Sequence, residues 1–154
     1  MAAQAQIRPL QPQDIPCCGQ IYVDAYLGPP YYGCWDLPTA TRIIEEVSRR
    51  EGAMCWVSER QGQVVGFILC TSLAGVRAMV EEFAVDPALQ GQGLGAQLFD
   101  YALSEFRRRG FSAVELVANQ LAPAWKLYES RGFSEPEAYR LLSLPLSQAP
   151  PEQA

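Results

Sequence analysis

The stretch Val80-Glu81-Glu82-Phe83-Ala84-Val85-Asp86-Pro87-Ala88-Leu89-Gln90-Gly91-Gln92-Gly93-Leu94-Gly95 decides how this chain folds. Its first part belongs to an apolar strand, Arg77 to Val85, which Asp86-Pro87 stops. Its last part holds three of the chain's 12 glycines. From Gly93 to Arg109 the apolar spacing becomes helical, with Leu94, Leu98, Tyr101, Ala102 and Phe106 on one face and Gly110 just beyond. A strand that turns through glycines into a helix offers unpaired N–H groups and a positive dipole end to whatever lies against the turn. Glycines also let the backbone come close to it. That is equipment for a pyrophosphate. The spacing is not that of a dinucleotide-binding GxGxxG, which belongs after a first strand, and the Gly-Lys-Ser/Thr ending of a Walker loop is missing.

Upstream of this segment, Ile7 to Leu10 reads as a short first strand, and Asp14 to Tyr26 as a helix with Asp14 able to cap it. Gly28-Pro29-Pro30-Tyr31-Tyr32-Gly33 forces an aromatic loop. Thr39 or Thr41 opens a second helix that runs to Arg50, with Gly52 past its end. Ala53 to Arg60 and Gln63 to Ser72 read as two strands joined at Gln61-Gly62. Downstream, Phe111 to Ala118 is a strand, Pro123 starts a helix that Gly132 closes, and Tyr139 to Leu146 can form a last strand. Early hairpins and a late strand-helix-strand unit predict an α/β (α+β) domain around one mixed sheet over residues 1–146. The Pro/Gln-rich tail, Ser147 to Ala154, is expected to be disordered.

Composition removes several chemistries. The 154 residues contain no histidine, so a Ser-His-Asp triad, a Cys-His dyad and a His-ligated metal are all excluded. A base has to be a carboxylate, the lone lysine Lys126, a tyrosine or a cysteine. The formal net charge of −5 is the opposite of a nucleic-acid binder's basic footprint and favours a cationic partner such as an amine. The triplet Arg107-Arg108-Arg109 fits a helix C-terminus, where cations complement the dipole. The five cysteines form no CxxC pair, the N-terminus has no signal-peptide pattern, and no apolar run reaches the ~18 residues of a membrane span. The expectation is a cytoplasmic protein without metal, whose cysteines pack as small hydrophobes.

At this point the chain resembles the GNAT superfamily of acyl-CoA-dependent N-acyltransferases, whose signature is a strand, a Gln/Arg-x-x-Gly-x-Gly/Ala loop and a helix. Val80 to Gly95 matches that signature without a gap. Asn119, then a helix carrying Tyr128, then Arg131-Gly132-Phe133 resembles the family's second block. In element order the resemblance spans Ile7 to Leu146. It implies a GNAT-like fold, with a central, mostly antiparallel mixed sheet flanked by helices, and acetyl-CoA as co-substrate. By the resemblance, backbone N–H groups of Gln90, Gly91, Gln92, Gly93, Leu94 and Gly95 hold the pyrophosphate. Backbone groups of Phe83, Ala84 and Val85 pair with the pantetheine arm as an added strand would, and one of their N–H groups polarises the thioester carbonyl. Asn119 bonds the same arm, and Tyr128 protonates the departing thiolate. For Tyr128 a purely packing role is the alternative.

The base is less direct. Many family members keep an acid at the position of Met79, which cannot ionise. The pair Glu81-Glu82 looks instead like the Glu-Asp pair of diamine and glucosamine-phosphate acetyltransferases of the superfamily. On a regular strand the two glutamates face opposite sides, and Met79, Glu81, Phe83 and Val85 share one face. This makes Glu81 the expected base, through water, and Glu82 a substrate-orienting carboxylate. A bulge would reverse that parity, and two surface glutamates are the plain alternative. Family members line the acceptor pocket with the loop after the first helix, here Tyr31, Tyr32, Trp35 and Asp36, a set able to cage an ammonium or simply to staple the loop down.

The resulting expectation is an N-acetyltransferase that acts on a primary amine of a small molecule by direct attack in a ternary complex, with no nucleic-acid or membrane partner. Homodimers are common in the family. The alternatives are a protein or peptide N-terminal or lysine acetyltransferase and a non-catalytic acyl-CoA-binding module.

Overall fold

A computed structural model describes residues 4–146. Five strands form one sheet in the order β1 (Gln6–Pro9), β2 (Met54–Arg60), β3 (Gln63–Leu73), β4 (Arg77–Val85) and β5 (Ala113–Leu116). β1 to β4 are antiparallel neighbours, whereas β4 and β5 run parallel. A parallel pair needs a crossover, and α3 (Leu94–Arg108) supplies it. α1 (Ile15–Leu27) and α2 (Leu37–Ser48) precede β2, and α4 (Ala124–Ser130) follows β5. This is the one mixed sheet that the element order predicts, mostly antiparallel and flanked by helices as the family resemblance implies. Among the described residues, no helix is long and apolar enough to cross a membrane.

Alternation along the strands sorts side chains into two layers. Val57, Phe67, Leu69 and Ala84 pack with Ile15, Cys18, Ile21, Tyr22, Ala40, Ile44 and Val47 of α1 and α2. Trp56, Ile68, Cys70, Ala78 and Val80 pack on the other face with Leu98, Phe99, Ala102, Leu103 and Phe106 of α3.

Three local expectations change. The second helix starts earlier than Thr39, because the Asp36 carboxylate accepts from the Thr39 N–H at 2.7 Å and caps a first turn that contains Pro38. Asp14 does not cap α1; its carboxylate takes two bonds from Arg8, at 2.7 and 2.9 Å, and one from the Gln11 N–H at 2.8 Å. Residues 139–146 form no strand, and Leu141, Leu142, Leu144 and Leu146 stand exposed. Apolar character makes a strand only where a ladder partner takes its backbone groups, and among the described residues none does. Residues 147–154, expected as a tail, lie outside those described.

Candidate active site

The site begins where β5 leaves β4. Their ladder ends at the pair Val80–Leu116, so the last residues of β4 have β3 on one side only. Along this stretch the Asp86 N–H donates to Val65 O of β3 at 2.9 Å. By alternation Ala84 faces β3 too, while Phe83 and Val85 turn their backbone groups to the open edge. Side chains reach the two carbonyls there: Tyr26 OH donates to Phe83 O at 3.3 Å, and Gln90 Nε2 to Val85 O at 3.1 Å. The N–H groups of Phe83 and Val85 are therefore the ones able to meet an extended ligand; of the three residues expected to do so, Ala84 cannot.

A cleft of about 320 Å³ lies along this edge. Phe83 to Val85 form one wall, the glycine loop and the start of α3 close one end, and Pro123, Ala124 and Leu127 of the α4 region face Tyr26 and Tyr31 across it. In the loop, Gly91 and Gly93 hold φ of 79° and 83°, a left-handed backbone that side chains disfavour, although a Cβ there would meet nothing within 4 Å. The loop is thus shaped by backbone conformation and is open on the ligand side. The first α-helical bond runs from the Gln97 N–H to Gly93 O, which leaves the preceding N–H groups of Leu94, Gly95 and Ala96 for an anion. A Cβ on Gly95 would lie 3.4 Å from Phe83 and 3.5 Å from Val85, so the helix start and the open edge are immediate neighbours. These residues fit the pyrophosphate and pantetheine arm of an acyl-CoA.

Two further polar residues have roles the sequence did not predict. Gln92 accepts from Arg60 of β2 at 2.9 Å, which brings a cation to the lip of the loop from 32 positions away; no motif links the two. Asn119 accepts from the Leu121 N–H at 2.9 Å and donates to Pro30 O at 3.5 Å. It shapes the turn into α4 and ties it to the aromatic loop.

The two glutamates depart from strict alternation. Leu69 pairs with Glu82 and Cys70 with Val80, so Glu81 is an extra residue in a bulge. Val80 and Phe83 both pack against the α3 layer, while Ala84 packs against the α1 and α2 layer. Both carboxylates turn to the α1 and α2 side rather than to opposite faces. Glu81 is exposed, accepts from Thr71 Oγ1 at 2.6 Å and pairs with Arg50 at 3.4 Å, just past α2. Glu82 is half-buried; it accepts from Tyr22 OH at 3.3 Å and lies 3.5 Å from Tyr26 OH, whose single proton it shares with Phe83 O. Burial pushes its carboxyl up to about 7, against the two phenol bonds and with a smaller push from Glu81. Tyr22 and Tyr26, one turn apart on α1, were not among the expected site residues; their i, i+4 spacing was the available signal.

Tyr128 packs against Phe99 and Phe133, with ring centroids 5.3 and 6.0 Å apart. Ala124 and Leu127 line the cleft, whereas Tyr128, expected as the acid, is not among its lining residues and packs against the α3 layer. Burial, with a smaller contribution from Tyr31, raises the phenol above its ordinary range and keeps it protonated. Of the aromatic loop, Tyr31 lines the cleft and meets Tyr26 edge to face, with ring centroids 4.7 Å apart. Trp35 meets Tyr22 at 6.2 Å, Tyr32 is exposed, and Asp36 is spent on its cap.

Comparison with known proteins agrees with this geometry. Residues 21–133 match the Acetyltransferase (GNAT) family. The mycothiol acetyltransferase of Thermomonospora curvata is 33% identical over 111 residues, covering 71% of this chain and 37% of that protein. The [ribosomal protein bS18]-alanine N-acetyltransferase of Escherichia coli K12 is 36% identical over 77 residues, covering 49% of this chain and 51% of its own length. The matches thus span about half or less of those two relatives. The crystal structure of the Escherichia coli ribosomal-protein-S18-alanine N-acetyltransferase superposes with a TM-score of 0.73 at 27% identity, covering 86% of this chain and 79% of that one. With its strand, glycine loop, helix and open edge in the family's order, the chain belongs to the GNAT family of acetyltransferases.

Proposed function

We propose that this chain transfers acetyl from acetyl-CoA to a primary amine of a small molecule, by direct attack of the amine in a ternary complex. The juxtaposition of a half-buried carboxylate, Glu82, with the open strand edge at Phe83 carries this reading. Acetyl-CoA, when bound, supplies the acetyl group as a thioester and leaves as a thiol. The chain's own residues do the rest. N–H groups at the start of α3 bind phosphate, with Arg60 adding positive charge at the lip. The N–H of Phe83 or Val85 donates to the carbonyl oxygen on which charge develops.

An amine enters as an ammonium and has to lose a proton before its lone pair can form the new C–N bond. Glu82 is the group assigned to take that proton in this reading, because a carboxyl titrating at about 7 suits neutral pH. Glu81, the base expected from the family pair, is exposed and paired with Arg50; it is better suited to orienting a cationic acceptor. Tyr128, held protonated, gives its proton to the sulfur as the C–S bond breaks. Burial pushes the Cys18, Cys55 and Cys70 thiols up, which argues against an acyl-cysteine route.

A protein N-terminus is the second reading, favoured by the similarity to ribosomal-protein alanine acetyltransferases. Thiol release from acetyl-CoA across a panel of amines and short peptides tests both. Tyr128→Phe and Glu82→Gln are expected to lower kcat about 10²-fold with acetyl-CoA affinity retained, and Glu81→Gln to act mainly on the KM of the amine. Release with peptides but not single amines selects the second reading. Acetyl-CoA binding without release on any acceptor indicates a binding module instead.

A further inference from the structure

Each oxygen of the Glu82 carboxylate has its own phenol: Tyr22 OH meets Oε1 at 3.3 Å and Tyr26 OH meets Oε2 at 3.5 Å. The two rings lie 4.7 Å apart on one face of α1. Trp35 braces Tyr22 at 6.2 Å and Tyr31 braces Tyr26 at 4.7 Å, so neither phenol can swing freely. Tyr26 OH also lies 3.3 Å from Phe83 O on the open edge. One side chain therefore touches both the carboxylate and the strand that would receive the acyl donor. Burial raises both phenols above their ordinary range, so they act as proton donors and not as bases.

We propose that Tyr22 and Tyr26 are positioning residues for acetyl transfer: they hold the Glu82 carboxylate in one orientation beside the open strand edge, and Tyr26 locks that orientation to Phe83. The proposal rests on Glu82 being the base. Tyr22 donates to one oxygen, and Tyr26 divides its single proton between the other oxygen and Phe83 O; both contacts favour the ionised form of the carboxylate. The other groups around it do not replace them. Its cross-strand partner on β3 is the apolar Leu69. On its own strand Glu81 opposes ionisation, and Thr71 and Arg50 are bonded to Glu81 rather than to Glu82. Removing either phenol therefore leaves burial less opposed, and the carboxyl retains its proton to higher pH.

The test follows the carboxyl ¹³C resonance of Glu82 through a pH titration of the unliganded full chain, with Glu82→Gln assigning the signal. In Tyr22→Phe and in Tyr26→Phe the midpoint is expected to rise by about half to one pH unit, and further in the double variant. The alkaline shift should reappear in the acidic limb of the kcat/KM profile for the amine. For Tyr22→Phe, which leaves the strand edge untouched, kcat should fall several-fold while the KM of acetyl-CoA stays constant. Phenylalanine keeps both rings, and if the more buried Tyr22→Phe fails to fold, Tyr26→Phe carries the test alone. A midpoint equal to that of the wild type in Tyr26→Phe would overturn the proposal even if Glu82→Gln is inactive. A fully active Glu82→Gln would instead overturn the assignment of the base, whatever the titration shows.

Discussion

At Glu82, burial and two phenols act in opposite directions, and the balance leaves the carboxyl titrating at about 7 rather than near its ordinary 4.5. Its folded-state pKa is raised, so between about 4.5 and 7 the native state binds more protons than the unfolded chain. Stability from this group is present at low pH and declines as pH rises through that window, by on the order of 3 kcal/mol in all. Glu82→Gln should flatten that part of the profile in urea denaturation at pH 5 and pH 8; an unchanged slope would mean that the carboxyl is not buried as described. Asp14 is the reverse case. The Arg8 guanidinium holds its carboxyl below the usual range, so its contribution is present above about 4 and lost as pH falls. Neither behaviour follows from residue type; each follows from what surrounds the carboxylate.

At the scale of elements, the glycine loop and α3 work as a unit. Gly93 is the N-cap of α3 with a φ of 83°, and no side chain crowds it. Gly93→Ala should therefore cost about 1–2 kcal/mol through backbone strain alone. If the loop relaxes to relieve that strain, the N–H groups of Leu94 to Ala96 lose their aim. Calorimetry should then show acetyl-CoA binding weakened at least tenfold, by 1.4 kcal/mol or more. Unchanged affinity in a destabilised Gly93→Ala protein would separate helix capping from ligand binding. This element was legible because strand, turn and helix each carry local signals: an apolar run, glycines and a 3.6-residue period. A bulge in this strand was raised as an alternative, but its presence and its position at Glu81 were not legible. It is a property of the pairing between β3 and β4, and no residue at 80–82 announces it. That one extra residue moves Phe83 onto the α3 face and brings both carboxylates to the α1 side.

Over the whole molecule, a net charge of −5 surrounds a site whose candidate base is a carboxylate. A cationic amine should be drawn toward it. The kcat/KM of the amine should then fall several-fold between low salt and about 0.5 M salt, while that of a peptide of zero net charge changes little. Equal salt dependence for both acceptors would assign the acidic surface to solubility alone. Arg60 brings positive charge to the glycine loop, placed there by the β2 strand end. Its proximity to Gln92 depends on how β2 lies beside β3 and β3 beside β4, so it could not be found by scanning for motifs.

The sequence by itself determined the element types from β1 to α4, the mixed sheet, the glycine loop at a helix start and the exclusion of histidine chemistry, because each depends on local spacing or on composition. The tertiary structure alone decided the rest. The parting of β4 from β5 exposed the edge at Phe83 and Val85, the bulge set the directions of Glu81 and Glu82, and the packing of α1 delivered Tyr22 and Tyr26 to the carboxylate. It also left 139–146 without the ladder that its apolar residues predicted. Strand pairing and helix packing join residues dozens of positions apart, and their outcome depends on which backbone groups and faces remain unpaired after the others have been satisfied.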